Sequence, residues 1–248
     1  MSYTGKEAHF FDEDEMMAKK LSHYESLFDH CSKNTTRVYM DATPKYMLYP
    51  ENVRKIYEEH GTADTVKIMF TLREPVSRDL SWYNHLLREN NKARPPEWAK
   101  EATDPNNSGK VLNFANYTEL RILPSMREEH PSNRGLYAHW LRKWFKLFNR
   151  SQIFVASYDD FRRNETDFLT RVHAFLELPD RNPNGQAPKS NDKHAMNVDP
   201  IPCSVQEHLA NEFEPLNQEL YDLLEANPGP PMEKRPFTRF QFKCKETS

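Results

Sequence analysis

The chain has no run of about 18 apolar residues, so it contains no helix long and apolar enough to cross a bilayer. It has no excess of positive charge either. Its 34 Lys and Arg stand against 37 Asp and Glu, a formal net charge of −3 over 248 residues. That balance gives no global basic field for nucleic acid, and a polyanion has to be met by a local patch. Cysteine is scarce: Cys31, Cys203 and Cys244 lie far apart, with no CxxC pair at metal-ligand spacing, which argues against zinc. Spacing leaves any disulfide pairing open. Met1 to Gly5 shows no signal-peptide h-region. GxxxxGKS/T and GxGxxG are both missing, which argues against phosphotransferases built on those loops. No internal repeat is visible.

What is present is a polar but foldable composition, 37% hydrophobic and 29% charged, unlike that of a disordered chain. The sequons at Asn34, Asn106, Asn116, Asn149 and Asn164 exceed what composition alone supplies and favour a secretory lumen. Strand-like and helix-like segments alternate. "KEAHFF" (6–11) and "RVYMDA" (37–42) read as short strands, and 13–30 as a helix with acidic residues in its first turn. "PENVRKIYEEHG" reads as a helix between Pro50 and Gly61. "VKIMFTL" (66–72) is an apolar run of strand length, as expected of a strand covered on both faces, and a helix from Pro75 follows it directly. "RGLYAHWLRKWFKLF" is an amphipathic helix with Leu136, Trp140, Trp144 and Leu147 on one stripe. "QIFVASY" (152–158) is a second buried strand, followed by helices over 165–178 and 204–224. Residues 91–115 read as a surface insertion, and 228–248 as an irregular tail on a single domain spanning 1–248. The alternation predicts an α/β fold with a parallel sheet flanked by helices.

In such sheets, ligands bind beyond the carboxyl ends of the strands. Three candidate ends carry polar residues. Glu7, His9 and Asp12 form the first; on a strand Glu7 and His9 would share a face, with Cα atoms about 6.5–7 Å apart. Asp41 to Tyr46, with Lys45, forms the second. The third is Arg73, with Ser77, Arg78 and Ser81 on the next helix. A guanidinium after a buried strand suits a planar oxyanion, and the serines with the helix N-terminus would complete an anion site. The alternative is that Arg73 pairs with Glu74 or Asp79 while the serines cap the helix or face solvent. Arg88, Lys92, Arg94 and Lys100 form a basic stripe on or near 91–115 that a polyanion would follow, or simply a solvated loop.

"KEAHFFD", "DATPKYM", "LREPVSRDLSWYNH", "GLYAHWLRKWF…SQIFVASYDDF" and "NDKHAMNVDP" occur in one order from about residue 5 to 226. This order resembles the heparan sulfate sulfotransferases, most closely the glucosaminyl 3-O- and N-sulfotransferase group. The resemblance implies a P-loop-NTPase-like sulfotransferase fold, with 3′-phosphoadenosine 5′-phosphosulfate (PAPS) as co-substrate and no metal. It implies Glu7 as catalytic base beside His9, with Asp12 and Lys45 toward the acceptor. Arg73 and Ser81 would grip the donor's 3′-phosphate, and Lys193 would lie in a late loop over the nucleotide. Tyr137 and Trp144 match the helix before the last strand and read as packing residues first. The acceptor implied is a sulfated or sulfatable polysaccharide, the compartment the Golgi lumen. Two departures stand out. Ala42 occupies the place of a family lysine near the transferred group. The family's phosphosulfate loop and its strand lie upstream of "KExHFFD", so the sequence reads as N-terminally incomplete, lacking the first strand. A catalytically impaired nucleotide- or glycan-binding pseudoenzyme, or a truncated fragment, is the alternative.

Overall fold

The computed structural model describes residues 7–28, 39–107, 109–127, 135–179 and 201–244. Two parallel strands, β1 (Ile68–Leu72) and β2 (Ile153–Ser157), pair from Ile68↔Ile153 to Leu72↔Ser157. Helices surround them. Before β1 come α1 (Asp14–Met17), α2 (Leu21–Ser26) and α3 (Pro50–Glu59). Between the strands lie α4 (Pro75–Asn90), α5 (Phe114–Tyr117), α6 (Leu123–Arg127) and α7 (Tyr137–Leu147). After β2 come α8 (Tyr158–Arg163), α9 (Glu165–Phe175) and α10 (Cys203–Ala226). The architecture is the α/β arrangement that the alternating pattern predicts.

β2 is buried along its whole length because both faces are covered. Ile153 and Val155 join a core with Trp140, Leu141 and Trp144 of α7, while Phe154 and Ala156 pack on Phe168, Val172 and Phe175 of α9. β1 departs from the two-faced expectation. Ile68, Phe70 and Leu72 are buried, Met69 is half-buried and Thr71 is exposed. Among the described residues only β2 pairs with β1. The stripe read on α7 is present: Leu136, Trp140 and Trp144 are buried, and Trp144 Nε1 donates to the Met47 carbonyl at 2.9 Å.

Several expectations fail. Residues 7–10 are not a strand; His9 has φ +52°, left-handed backbone that a pleated strand does not contain. Residues 39–42 are not a strand either, and 37–38 lie outside the described residues. The helix read over 13–30 breaks at Ala18–Lys20 into α1 and α2. The stretch 91–115 is more than a surface insertion. Its 3-10 helix Glu97–Ala102 packs on α4, with Ala99 and Ala102 fully buried, and Tyr83 Oη of α4 donates to Leu112 O at 2.6 Å. These contacts hold the segment because small side chains let its backbone approach the helix. From 228 to 244 the chain has no helix or strand, yet it is well anchored. Glu233 pairs with Arg150, Phe240 lies on Tyr221, and Cys244 is disulfide-bonded to Cys203.

Candidate active site

The segment 7–12 is held by side chains where a strand would be held by a ladder. Ala8 N donates to Asp41 Oδ1 at 3.3 Å, His9 N to Thr43 Oγ1 at 3.3 Å and Phe10 N to Tyr46 Oη at 2.7 Å. Asn52 Nδ2 of α3 donates to the Phe11 carbonyl at 2.8 Å. Asp41 is the hub. Besides Ala8 N it accepts from Thr43 N (3.1 Å), Thr43 Oγ1 (2.7 Å), Tyr24 Oη (3.2 Å) and Tyr46 Oη (2.8 Å). Burial, with Asp41's charge adding to it, pushes the Tyr24 phenol far above its ordinary pKa, and Tyr46 is also raised, burial being the main cause. Both hydroxyls therefore remain donors.

The left-handed turn at His9 brings Glu7 and His9 together without a strand. His9 Nε2 lies 3.5 Å from Glu7 Oε2, and His9 Nδ1 lies 3.0 Å from Asp12 Oδ2. An ionised carboxylate only accepts, so Nδ1 carries a proton and Nε2 faces Glu7. The Asp12 side chain is fully buried, and Lys45 Nζ lies 3.0 Å from the same Oδ2. Glu7, His9, Asp12 and Lys45 thus form one continuous chain of contacts.

Arg73 directly follows β1, and its guanidinium lies over the Tyr158 ring at 5.6 Å from the centroid. Its acidic neighbours in sequence are engaged elsewhere. Glu74 caps α4, its Oε1 accepting from Val76 N at 2.9 Å and its Oε2 from Ser77 N at 2.7 Å. Asp79 pairs with Arg78. The helix N-terminus expected to bind an anion is therefore already filled by a carboxylate. Any anion here is left to Arg73 and to the hydroxyls of Ser77 and Ser81, one turn apart. Asp79 is buried with its Oδ2 unpartnered, and burial raises its carboxyl to about 6 although Arg78 opposes the shift.

Glu7, His9, Ala42, Lys45, Arg73, Ser77 and Ser81 all line a single cleft of about 2630 Å3. It runs along β1 from Ile68 to Leu72 and exceeds the usual size of a single small-molecule pocket. Lys193 lies outside the described residues. Among the described residues, no group of three or more His, Cys, Asp or Glu is placed to hold a metal ion.

Residues 3–196 match the family described as "Sulfotransferase domain". The chain belongs to this family. Among relatives of this chain, mouse "Heparan sulfate glucosamine 3-O-sulfotransferase 5" is 26% identical over 178 residues, covering 71% of this chain and 46% of the relative. Mouse "Heparan sulfate glucosamine 3-O-sulfotransferase 3B1" is 26% identical over 174 residues, covering 70% and 39%. The Dictyostelium discoideum "Membrane-associated sulfotransferase kil1" is 22% identical, covering 85% and 55%. The chain thus spans about half the length of the curated relatives it matches. A sulfotransferase from Alicyclobacillus acidocaldarius has the same fold at TM-score 0.57 and 22% identity, covering 90% of this chain and 85% of that one.

Sequence reasoning missed the hub role of Asp41. The residue stood in the quoted "DATPKYM" segment, but its role depends on that segment lying against 7–12, which no local pattern announces. It also missed the ring stack of Trp82, His85 and Trp98 on the cleft wall.

Proposed function

We propose that this sulfotransferase moves the sulfuryl group of PAPS to a hydroxyl or amine of a heparan-sulfate-like polysaccharide. The observation that carries the reading is one cleft with Glu7 and His9 on one segment and Arg73 with Ser81 beyond β1. Arg73 and Ser81 take the 3′-phosphate, with Lys193 as a further nucleotide contact. Glu7 removes the acceptor proton as the acceptor oxygen or nitrogen attacks sulfur in line. The new bond to sulfur forms as the bond from sulfur to the bridging phosphate oxygen breaks, and 3′-phosphoadenosine 5′-phosphate leaves with the negative charge. His9, fixed through Nδ1 by Asp12, orients Glu7 or the acceptor, and Lys45 supports Asp12 on the acceptor side. Fixed cations are worth most where charge develops.

The Cys203–Cys244 disulfide and the sequons support assembly in an oxidising lumen, consistent with residence in the Golgi. One observation favours a second reading, a pseudoenzyme that binds nucleotide and glycan without turnover: Ala42 lines the cleft where the family carries a lysine, and Lys45 is engaged with Asp12.

The test is incubation with labelled PAPS and heparosan-like acceptors. Glu7→Gln is expected to slow transfer by about 10²–10⁴-fold. A variant as fast as the parent removes the assigned base, whereas nucleotide binding without transfer by the parent selects the second reading.

A further inference from the structure

Residues 228–244 lie beyond the stretch 3–196 that matches the sulfotransferase family, so their part in the cleft has to be read from their contacts. The segment is fastened along its length. Lys234 Nζ and Thr238 Oγ1 donate to Asp160 Oδ1 at 3.0 and 2.7 Å, and Phe240 N donates to Tyr221 Oη at 2.9 Å. Cys244 is bonded to Cys203, the first residue of α10. From 239 to 244 exposure alternates: Arg239, Gln241 and Lys243 are exposed, while Phe240, Phe242 and Cys244 are half-buried. That is the pattern of an extended segment with one face on the protein.

The inner face puts this segment beside Arg73. The Phe240 ring lies 6.0 Å from the ring of Tyr137, whose Oη donates to the Arg73 carbonyl at 2.8 Å. Phe242 packs on the core cluster that holds Val76, three residues past Arg73, with Leu209 and Phe213 of α10. Ile201 joins the same cluster, and Gln206 Nε2 donates to its carbonyl at 3.0 Å. Ile201, Gln206, Phe242 and Lys243 line the cleft that Arg73, Ser77 and Ser81 also line. The start of α10 and the end of the tail are thus one wall, joined covalently, on the Arg73 side. Lys243 is exposed on that wall. Among the described residues no carboxylate is paired with it, whereas Lys45 is held by Asp12.

We propose that Lys243 is a donor-binding residue, its ammonium meeting the 3′-phosphate of the nucleotide together with Arg73 and Ser81, and that the Cys203–Cys244 disulfide is the element that positions it. This deepens the sulfotransferase reading and rests on it for the identity of the donor. The chemistry fits a phosphate monoester, which carries close to two negative charges and three outer oxygens at neutral pH. A guanidinium takes two of those oxygens in its own plane, and a point charge on a flexible stem can approach from another side. The disulfide matters because Lys243 is its neighbour in sequence. With the backbone fixed at Phe240 and at Cys244, only the lysine side chain has to be ordered when the nucleotide binds. Without the bond to Cys203, the backbone around Lys243 has to be ordered as well, at an entropic cost for each residue.

Calorimetric titration of the chain with 3′-phosphoadenosine 5′-phosphate, and separately with adenosine 5′-phosphate and a heparosan oligosaccharide, tests this. Lys243→Ala is expected to weaken binding of the bisphosphate by about tenfold at low salt. The difference should shrink at high salt, because the ammonium is exposed. Lys243→Arg should keep most of the affinity, and Lys243→Ala should bind adenosine 5′-phosphate and the oligosaccharide as the parent does. Cys203→Ser combined with Cys244→Ser is expected to bind the bisphosphate about as weakly as Lys243→Ala, and adding Lys243→Ala to it should cost little more. Should the variant without the disulfide fail to fold, Lys243→Ala still decides, since its side chain is exposed. Bisphosphate binding by Lys243→Ala equal to the parent's overturns the proposal. So does an equal loss toward adenosine 5′-phosphate, or a loss confined to the oligosaccharide. A folded variant without the disulfide that binds as the parent does overturns the positioning role. Arg73→Ala separates this failure from that of the donor site: if it binds weakly while Lys243→Ala does not, the donor site stands and Lys243 leaves it; if neither is weakened, both fall.

Discussion

Asp41→Asn is the most informative change outside the reacting groups, because it removes charge while keeping shape. In the parent, Oδ1 accepts three hydrogen bonds, from Ala8 N, Thr43 N and Thr43 Oγ1, and Oδ2 accepts the Tyr24 and Tyr46 hydroxyls. Asparagine offers one oxygen and one NH2. With the oxygen toward Ala8 and Thr43, the NH2 meets two hydroxyls that had been donating. Tyr46 Oη already accepts from Phe10 N, so it would have to take a second donor and find another use for its proton. The reverse orientation aims NH2 at two backbone N–H groups and is worse. A bond to a charged acceptor contributes roughly 1.5–3 kcal/mol, against about 1 for a neutral one. Weakening the Oδ1 set and losing the Oδ2 set therefore costs about 2–3 kcal/mol, since bonds within one network do not add in full. At about 2–4 °C per kcal/mol for a chain of this size, the melting temperature falls by about 4–12 °C. Thermal melts followed by circular dichroism measure it. The anchored segment carries Glu7, so transfer should fall more than stability does at a temperature where the variant is fully folded; a misplacement of about 1 Å can cost about 10²-fold in rate. Tyr46→Phe, combined with Asp41→Asn in a double-mutant cycle, should show coupling of at least about 0.5 kcal/mol. A melting shift under about 1 °C together with unchanged transfer would refute the clamp.

Glu233→Ala should cost about 3 kcal/mol in urea denaturation, because it strands the largely buried Arg150 and unpairs Val155 N, which now donates to Glu233 Oε1 at 2.6 Å. A loss below about 1 kcal/mol would mean that the tail is not anchored through this pair. His85 should titrate below its ordinary 6.5 in imidazole NMR, because burial first, and Arg88 next, oppose its charge. Its folded pKa is depressed, so its contribution to stability is complete above 6.5 and is lost as pH falls through the folded value; a midpoint at or above 6.5 contradicts the packing described.

The sequence made the sheet easier to read than the site. β1 and β2 are short runs rich in β-branched and aromatic residues, each followed at once by a helix start, Pro75 with its Glu74 cap in one case and the Ser157 cap in the other. Nothing distant is needed to recognise them. The Trp140 and Trp144 stripe was equally legible, because helical period alone selects the buried face. The N-terminal segment was misread for a specific reason. Glu7 and His9 do meet, but through a left-handed turn, and alternation cannot distinguish that from a strand face. Phe10 and Phe11 are adjacent and both buried, and their rings meet edge to face at 5.0 Å. That pattern fits a turn packed into the core as well as it fits a strand covered on two sides. The buried Ala99 and Ala102 were hidden by their polar surroundings in 91–115, since composition averages over a helix whose contact face is only two alanines wide.

Lys45 shows how far local structure can alter a sequence offset. Counted along an extended chain, a cation three positions beyond Ala42 changes both depth and face. The chain is not extended there. A 3-10 turn, Pro44–Leu48, bends it, and Lys45 returns to the cleft with its Nζ 3.0 Å from Asp12. A cation is therefore present on the cleft wall three positions beyond Ala42, but it is already paired. Lys45 is engaged by Asp12, and Glu7 adds a further carboxylate to the same group. The attraction for a polyanionic donor has to come from elsewhere on the cleft, and Arg73, free of both Glu74 and Asp79, is the guanidinium placed to supply it. On this reading the acceptor-side charges serve to remove a proton, and the donor is held from the far side of β1.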